Sequence, residues 1–223
     1  MKKEDLIPAF GSKLRTNIVT VPEIINECSG IRVFGQLLKS FLFSTDIAII
    51  RNTNANAIIA VYPFTPQPII SQALITAADK PIFCGVGGGV TSGLRSVELA
   101  LHAEFQGALG VVINKPATND LIKELKQKID IPVTITVVSE LDDIEGRLEA
   151  GVDIFNVSGG ENTPQIILKI RSIDKNVAII ATGGKTEETI ARVIEAGANA
   201  VSYTPPSTGT LFKEIMKKYR SEC

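Results

Sequence analysis

The sequence predicts an α/β fold, a single (β/α)8 barrel spanning residues 1–223, with a short N-terminal helix ahead of the first strand. Three observations predict it. Short Ile- and Val-rich runs alternate with amphipathic stretches from residue 58 onward, and the runs are apolar on both parities, as parallel strands covered on both faces require. The helix-to-strand joints repeat one device, in which Gly107, Gly151 and Gly197 each follow a helix and precede a strand. Finally, eight strand–helix units of about 28 residues would use the whole chain. A doubly wound open sheet of the same length is the competing architecture.

The elements follow in order. Residues 21–28 read as a short helix closing the bottom of the barrel, and residues 31–38 as the first strand. Seven cleaner runs follow at 58–62, 81–86, 109–113, 132–138, 153–157, 177–181 and 199–203. The stretches between them carry helix signals. Ser139 with Asp142 three residues on resembles a capping box ahead of Ile144. Thr163-Pro164 places proline in the first helical turn before Ile166, Ile167 and Ile170. Thr186 is an N-cap followed by Glu187 and Glu188, which suit the positive end of the helix dipole.

Composition excludes several classes. With 23 Lys plus Arg against 24 Asp plus Glu, the net charge of −1 lacks the electrostatic footprint of a nucleic-acid binder. No apolar run approaches the roughly 18 residues of a membrane span, and the acidic start at Glu4 and Asp5 is unlike a secretory signal. Cys28, Cys84 and Cys223 have no metal-like spacing and read as reduced thiols of a cytoplasmic protein. The one histidine, His102, falls mid-helix beside Glu98, which excludes a His-based triad. No His/Cys/Asp cluster has metal-ligand spacing, so no metal is expected.

In a barrel of this kind function lies at the C-terminal ends of the strands. Those ends crowd glycine, hydroxyl and amide residues together: Tyr62, then Gly87 and Gly88, Asn114-Lys115, Ser139-Glu140, Asn156 and Ser158, Thr182-Gly183-Gly184-Lys185, and Ser207-Thr208. Glycines let backbone amides approach a phosphate, and a helix N-terminus adds its dipole. Gly183-Gly184 with Ser207 and Thr208 is therefore the candidate phosphate site, and Lys185 would meet the same anion. Asn114, Thr134, Thr136, Asn156, Thr182 and Ser202 interrupt otherwise apolar strands, and a ring of such residues facing the lumen suits a hydroxylated ligand.

Ionisable groups at strand ends are few: Lys39, Lys115, Glu140, Glu161 and Lys185. Lys115 directly follows an apolar strand, where desolvation would lower its pKa toward that of a nucleophile or general base. Glu161, in a glycine-bounded loop, is the second candidate for proton transfer.

Residues 179–184, Ile-Ile-Ala-Thr-Gly-Gly, followed by 194–201, Ile-Glu-Ala-Gly-Ala-Asn-Ala-Val, resemble the phosphate-binding group of (β/α)8 barrels, and the remainder agrees by periodicity. From Leu109 onward the chain also resembles the glycerol uptake operon antiterminators, which are regulatory barrels. More broadly it is similar to a bacterial family carrying only a generic hydrolase label. Three departures matter. The Gly-Ser usual after the eighth strand is replaced by Thr204-Pro205-Pro206-Ser207, and each proline removes an amide donor. The Schiff-base lysine of sugar-acid aldolases has Asn156 in its region, and the Asp-Lys pairs of orotidine decarboxylases are missing.

The resemblance implies a small-metabolite enzyme doing lyase, isomerase or hydrolase chemistry on a phosphorylated or anionic substrate, without a cofactor, and the amphipathic barrel exterior suits homo-oligomerisation. The alternatives are a ligand-sensing regulatory barrel without turnover, the one case in which nucleic acid would be a partner, and flavin binding at the Gly183-Gly184 rim.

Overall fold

The computed structural model describes residues 10–12, 15, 17–184 and 186–221. After a 3-10 turn, Glu23–Glu27, a short antiparallel hairpin pairs β1 (Ile31–Val33) with β2 (Gln36–Leu38). The barrel strands follow: β3 (Ser40–Phe43), β4 (Ala57–Ala60), β5 (Ile82–Gly87), β6 (Gly110–Ile113), β7 (Val133–Val137), β8 (Ile154–Val157), β9 (Ala178–Thr182) and β10 (Ala200–Tyr203). All eight pair in parallel, each with its neighbours in sequence, and β10 pairs with β3 to close the barrel. The helices between and after them are α1 (Ile47–Arg51), α2 (Pro68–Ala77), α3 (Leu94–Phe105), α4 (Asn119–Lys128), α5 (Ile144–Glu149), α6 (Thr163–Ile173), α7 (Glu187–Glu195) and α8 (Thr208–Ser221).

The expected first strand is corrected by this topology. Residues 31–38 do not form one barrel strand, because Phe34 and Gly35 turn the chain back with φ of 44° and 84°. The barrel opens instead with Ser40–Phe43. The hairpin serves as a plug: its Ile31, Val33 and Leu38 join the inner cluster formed by Phe41, Ala57, Ile59, Phe83, Val112, Ile154, Ile180 and Ala200. Period-2 geometry turns the alternate residues outward, under the helices, where a larger apolar layer forms. Within the lumen Phe41 and Phe83 meet edge to face at 5.2 Å. Gly110 makes room for them, since a Cβ there would fall 2.4 Å from the Phe83 ring.

The repeated glycine joints do what the sequence predicts. Gly107, Gly151 and Gly197 adopt φ of 94°, 92° and 107°, and each is bonded back to the last helical turn. The amide after each glycine donates to the carbonyl five residues earlier, closing the same C-terminal motif three times. At helix starts, Thr186 caps α7 with a reciprocal bond to Thr189, and proline occupies the first turn of α6. Only one half of the Ser139–Asp142 capping box forms: the Asp142 carboxylate accepts from the Ser139 amide, while the Ser139 hydroxyl accepts from Leu141. Asp143 caps α5 by accepting from Gly146, which frees Asp142 to turn toward the rim.

Candidate active site

Strand parity builds the lumen mouth. On β6, β7 and β8 the residues that follow the inner apolar layer on the same face are Asn114, Thr136 and Asn156, and on β9 and β10 they are Thr182 and Ser202. With Phe43, Val61, Ser158 and Thr204 these residues line a cavity of about 230 Å³ at the C-terminal end of the barrel. The ring of polar residues predicted from the strands is thus a physical ring. Thr134 lies one layer deeper, fully buried.

Hydrogen bonds wire one side of this ring. Asn156 Nδ2 donates to Thr136 Oγ1 at 3.2 Å, and Thr136 Oγ1 donates to Asn114 Oδ1 at 2.8 Å. Two buried oxygens beside this chain, Asn156 Oδ1 and Thr134 Oγ1, have no hydrogen-bond partner among the described residues. Unpaired buried polar atoms are costly and uncommon; Asn156 belongs to the cavity wall, and Thr134 lies one layer below it.

A second cavity of about 390 Å³ adjoins the mouth, sharing Val61 and Asn114 with it. Its walls are the loops after β4 and β5, including Tyr62, Phe64, Gly87, Gly88 and Thr91, and Lys115 completes it. The Tyr62 hydroxyl accepts from the Gln67 amide, which ties the loop to the start of α2. Gly88, at φ of 121°, lies so close to Asn114 that a Cβ would come 2.7 Å from the Asn114 Cβ. Lys115 is half-exposed and its ammonium pairs with Asp142. The desolvation expected to activate it is therefore replaced by an ion pair. Burial alone would raise the Asp142 pKa, yet hydrogen bonds from Lys115 and from the amides of Val138 and Ser139 hold it below the ordinary value of 3.8.

The other predicted residues are spread around the rim. Glu161 is exposed in the turn Gly160–Asn162 and lines a separate cavity of about 420 Å³ with Thr182, Gly183, Gly184 and Arg192. Ser207 and Thr208 do not join Gly183 and Gly184 in that cavity. Ser207 caps the first turn of α8, and Thr208 donates to the Asp46 carboxylate at the start of α1. That bond holds the Asp46 pKa low and sets a negative charge beside the α8 N-terminus. Lys185 lies outside the described residues. Lys39 sits at the opposite end of the barrel and donates to the Asn26 carbonyl. The Glu140 side chain is exposed, and His102 lines an outer groove with Arg95 and Phe105.

Sequence reasoning missed Asp142, Thr204 and Arg192. Thr204 was available from parity, two residues beyond Ser202. Asp142 was hidden because its helix-cap spacing explained it locally, while its ionic partner is 27 residues away. Among the described residues no three His, Cys, Asp or Glu side chains gather to hold a metal ion, and no helix is long and apolar enough to cross a membrane.

No protein-family description matches the chain, and no curated protein matches it in sequence. Solved structures match the fold. A Burkholderia cenocepacia J2315 protein described provisionally as a phosphonomutase aligns with 85% of this chain and 94% of its own, at 15% identity and a TM-score of 0.61. Phosphonopyruvate hydrolase, solved with oxalate and Mg++, aligns over 83% of each chain at 12% identity and a TM-score of 0.59. Mandelate oxidase with 3,3-difluoro-2-hydroxy-3-phenylpropionic acid covers 89% of this chain and 71% of its own, at 12% identity and a TM-score of 0.64. At such identities the likeness is one of fold. It places the chain among (β/α)8 barrels and lends nothing to the antiterminator resemblance.

Proposed function

We propose that this barrel is an enzyme for a small anionic metabolite, bound at the lumen mouth and in the adjoining cavity beside Lys115. One observation carries the reading: Asn156, whose buried Oδ1 has no partner among the described residues, lines a strand-end cavity that adjoins a lysine-bearing one. In this arrangement the neutral side chains of the mouth orient the ligand, and Lys115 meets its charge and moves a proton in lyase, isomerase or hydrolase chemistry. The barrels that match in fold act on or bind small acids, as their names state, which agrees with a ligand of this kind. Gly183, Gly184 and Arg192, with Glu161, form a second candidate anion region beside Thr182.

A ligand sensor without turnover is the competing reading, favoured by one observation: among the described residues no ionisable side chain lines the mouth itself. Thermal-shift and turnover screens of carboxylated and phosphorylated metabolites of three to six carbons test the proposal. The expected result is stabilisation and conversion of at least one compound, with binding lost in Asn114→Leu. A compound that binds at the mouth without conversion of any member of the set would overturn the enzyme reading in favour of the sensor.

A further inference from the structure

The hydrogen-bond chain across the mouth dictates more than a general affinity for anions. Thr136 has one hydroxyl hydrogen, and it is spent on Asn114 Oδ1. Its oxygen in turn accepts from Asn156 Nδ2, so that side-chain amide is held with Oδ1 turned away from Thr136. Asn156, a residue of the cavity wall, therefore keeps a buried acceptor that no described residue satisfies. Asn114, with its oxygen occupied, has its amide nitrogen left to donate. One hydroxyl thus fixes two amides in opposite senses across three adjacent strands.

A ligand filling this space must return the complementary pair: a hydrogen-bond donor toward Asn156 and an acceptor toward Asn114. An anion made only of acceptors, such as oxalate or a simple oxo acid, would set oxygen against the Asn156 oxygen and leave that acceptor unsatisfied. Thr134 strengthens the argument from below. Its hydroxyl is fully buried and unpartnered, and it lies on the same face of β7 two residues before Thr136. The hydroxyls of Ser158, Thr182, Ser202 and Thr204, on the remaining side of the mouth, make no side-chain hydrogen bond to another described residue and can serve further hydroxyl groups of the same ligand.

We infer that the site selects hydroxylated acids over their oxo or all-acceptor counterparts, the Asn114–Thr136–Asn156 chain being the device that reads the hydroxyl. The inference rests on the proposed binding site and concerns what that site takes.

Calorimetry on the full chain tests it with matched probes: lactate against pyruvate, malate against oxaloacetate, and glycerol 3-phosphate against propyl phosphate, with oxalate as the all-acceptor anion. The expected result is about tenfold or tighter binding of the hydroxylated member in at least one pair, since a buried acceptor left unpaired carries a desolvation cost of that order. Thr136→Val keeps the side-chain shape and removes the hydroxyl, so the preference should shrink toward unity while binding persists. Asn156→Leu should remove the preference altogether, with the melting temperature of each variant serving as the check on folding. Equal or tighter binding of the oxo members, with binding still weakened by Asn114→Leu, overturns the selectivity and leaves the site standing. Binding of the probes that is indifferent to Asn114→Leu, Thr136→Val and Asn156→Leu alike, or binding of none of them, overturns the site and the selectivity together.

Discussion

Lys115 on the loop after β6 reaches the carboxylate of Asp142 on the loop after β7, and the other Asp142 oxygen accepts from the Val138 and Ser139 amides at 2.9 and 3.1 Å. One carboxylate therefore sets the shape of one rim loop and the position of the lysine on the next. Replacing Lys115 with Met separates chemistry from binding. Because the lysine is half-exposed, its pair with Asp142 contributes less than about 1 kcal/mol to stability. Turnover is expected to fall by about 10²–10⁴-fold, well beyond the weakening of binding that loss of the charge brings, a difference read by comparing kcat with a calorimetric Kd.

The same pair gives the protein an acid sensitivity of known sign. The Asp142 pKa is lower in the folded chain than the ordinary 3.8, so the folded state binds the proton less readily than the unfolded one. Its contribution to stability is full above about pH 5 and is lost as pH falls through 3.8 and below. Asp46, held low chiefly by Thr208, acts in the same direction. A melting curve taken at intervals from pH 6 to pH 3 should therefore decline for the native chain and decline less for Asp142→Asn.

Gly110→Ala should destabilise the barrel from within. The new methyl would lie 2.4 Å from the Phe83 ring, which is itself held against Phe41, so the cost is that of overpacking a closed core, about 1–3 kcal/mol. The urea midpoint should fall with little change in slope.

Cys28 and Cys84 should resist alkylation in the native state. Burial pushes each thiol up to about 11, against partial relief from Lys39 at Cys28 and from Ser71 at Cys84. Little thiolate exists at pH 8, and neither sulfur is open to reagent. Iodoacetamide labelling followed by peptide mass spectrometry should find both residues unmodified until denaturant is added.

Much of the barrel was legible because strand and helix periods differ and because the glycine joints repeat. Seven strands, the left-handed turns at Gly107, Gly151 and Gly197 and the Thr186 cap all follow from local physics. The first strand was not legible in the same way. Residues 31–38 carry a strand-like pattern, but the positive φ values of Phe34 and Gly35 make that stretch a hairpin, and the true first strand is only four residues long.

For the candidate site, the signal was small polar residues interrupting apolar strands: it brought out Asn114, Thr136, Asn156, Thr182 and Ser202, which line the mouth, together with Thr134, which lies below it. What parity cannot give is the bonding among them, or the pairing of Lys115 with Asp142, because those depend on how neighbouring strands stagger. Likewise Ser207-Thr208 looked like a partner for Gly183-Gly184, but Thr208 is turned toward Asp46 by a contact across 162 residues of chain.

The hairpin of β1 and β2 has a kinetic meaning. By filling the floor of the lumen with Ile31, Val33 and Leu38 it leaves the polar rim as the open end among the described residues. For a ligand held at the proposed site, arrival and departure would share that one end, so each molecule would have to leave before the next could be admitted.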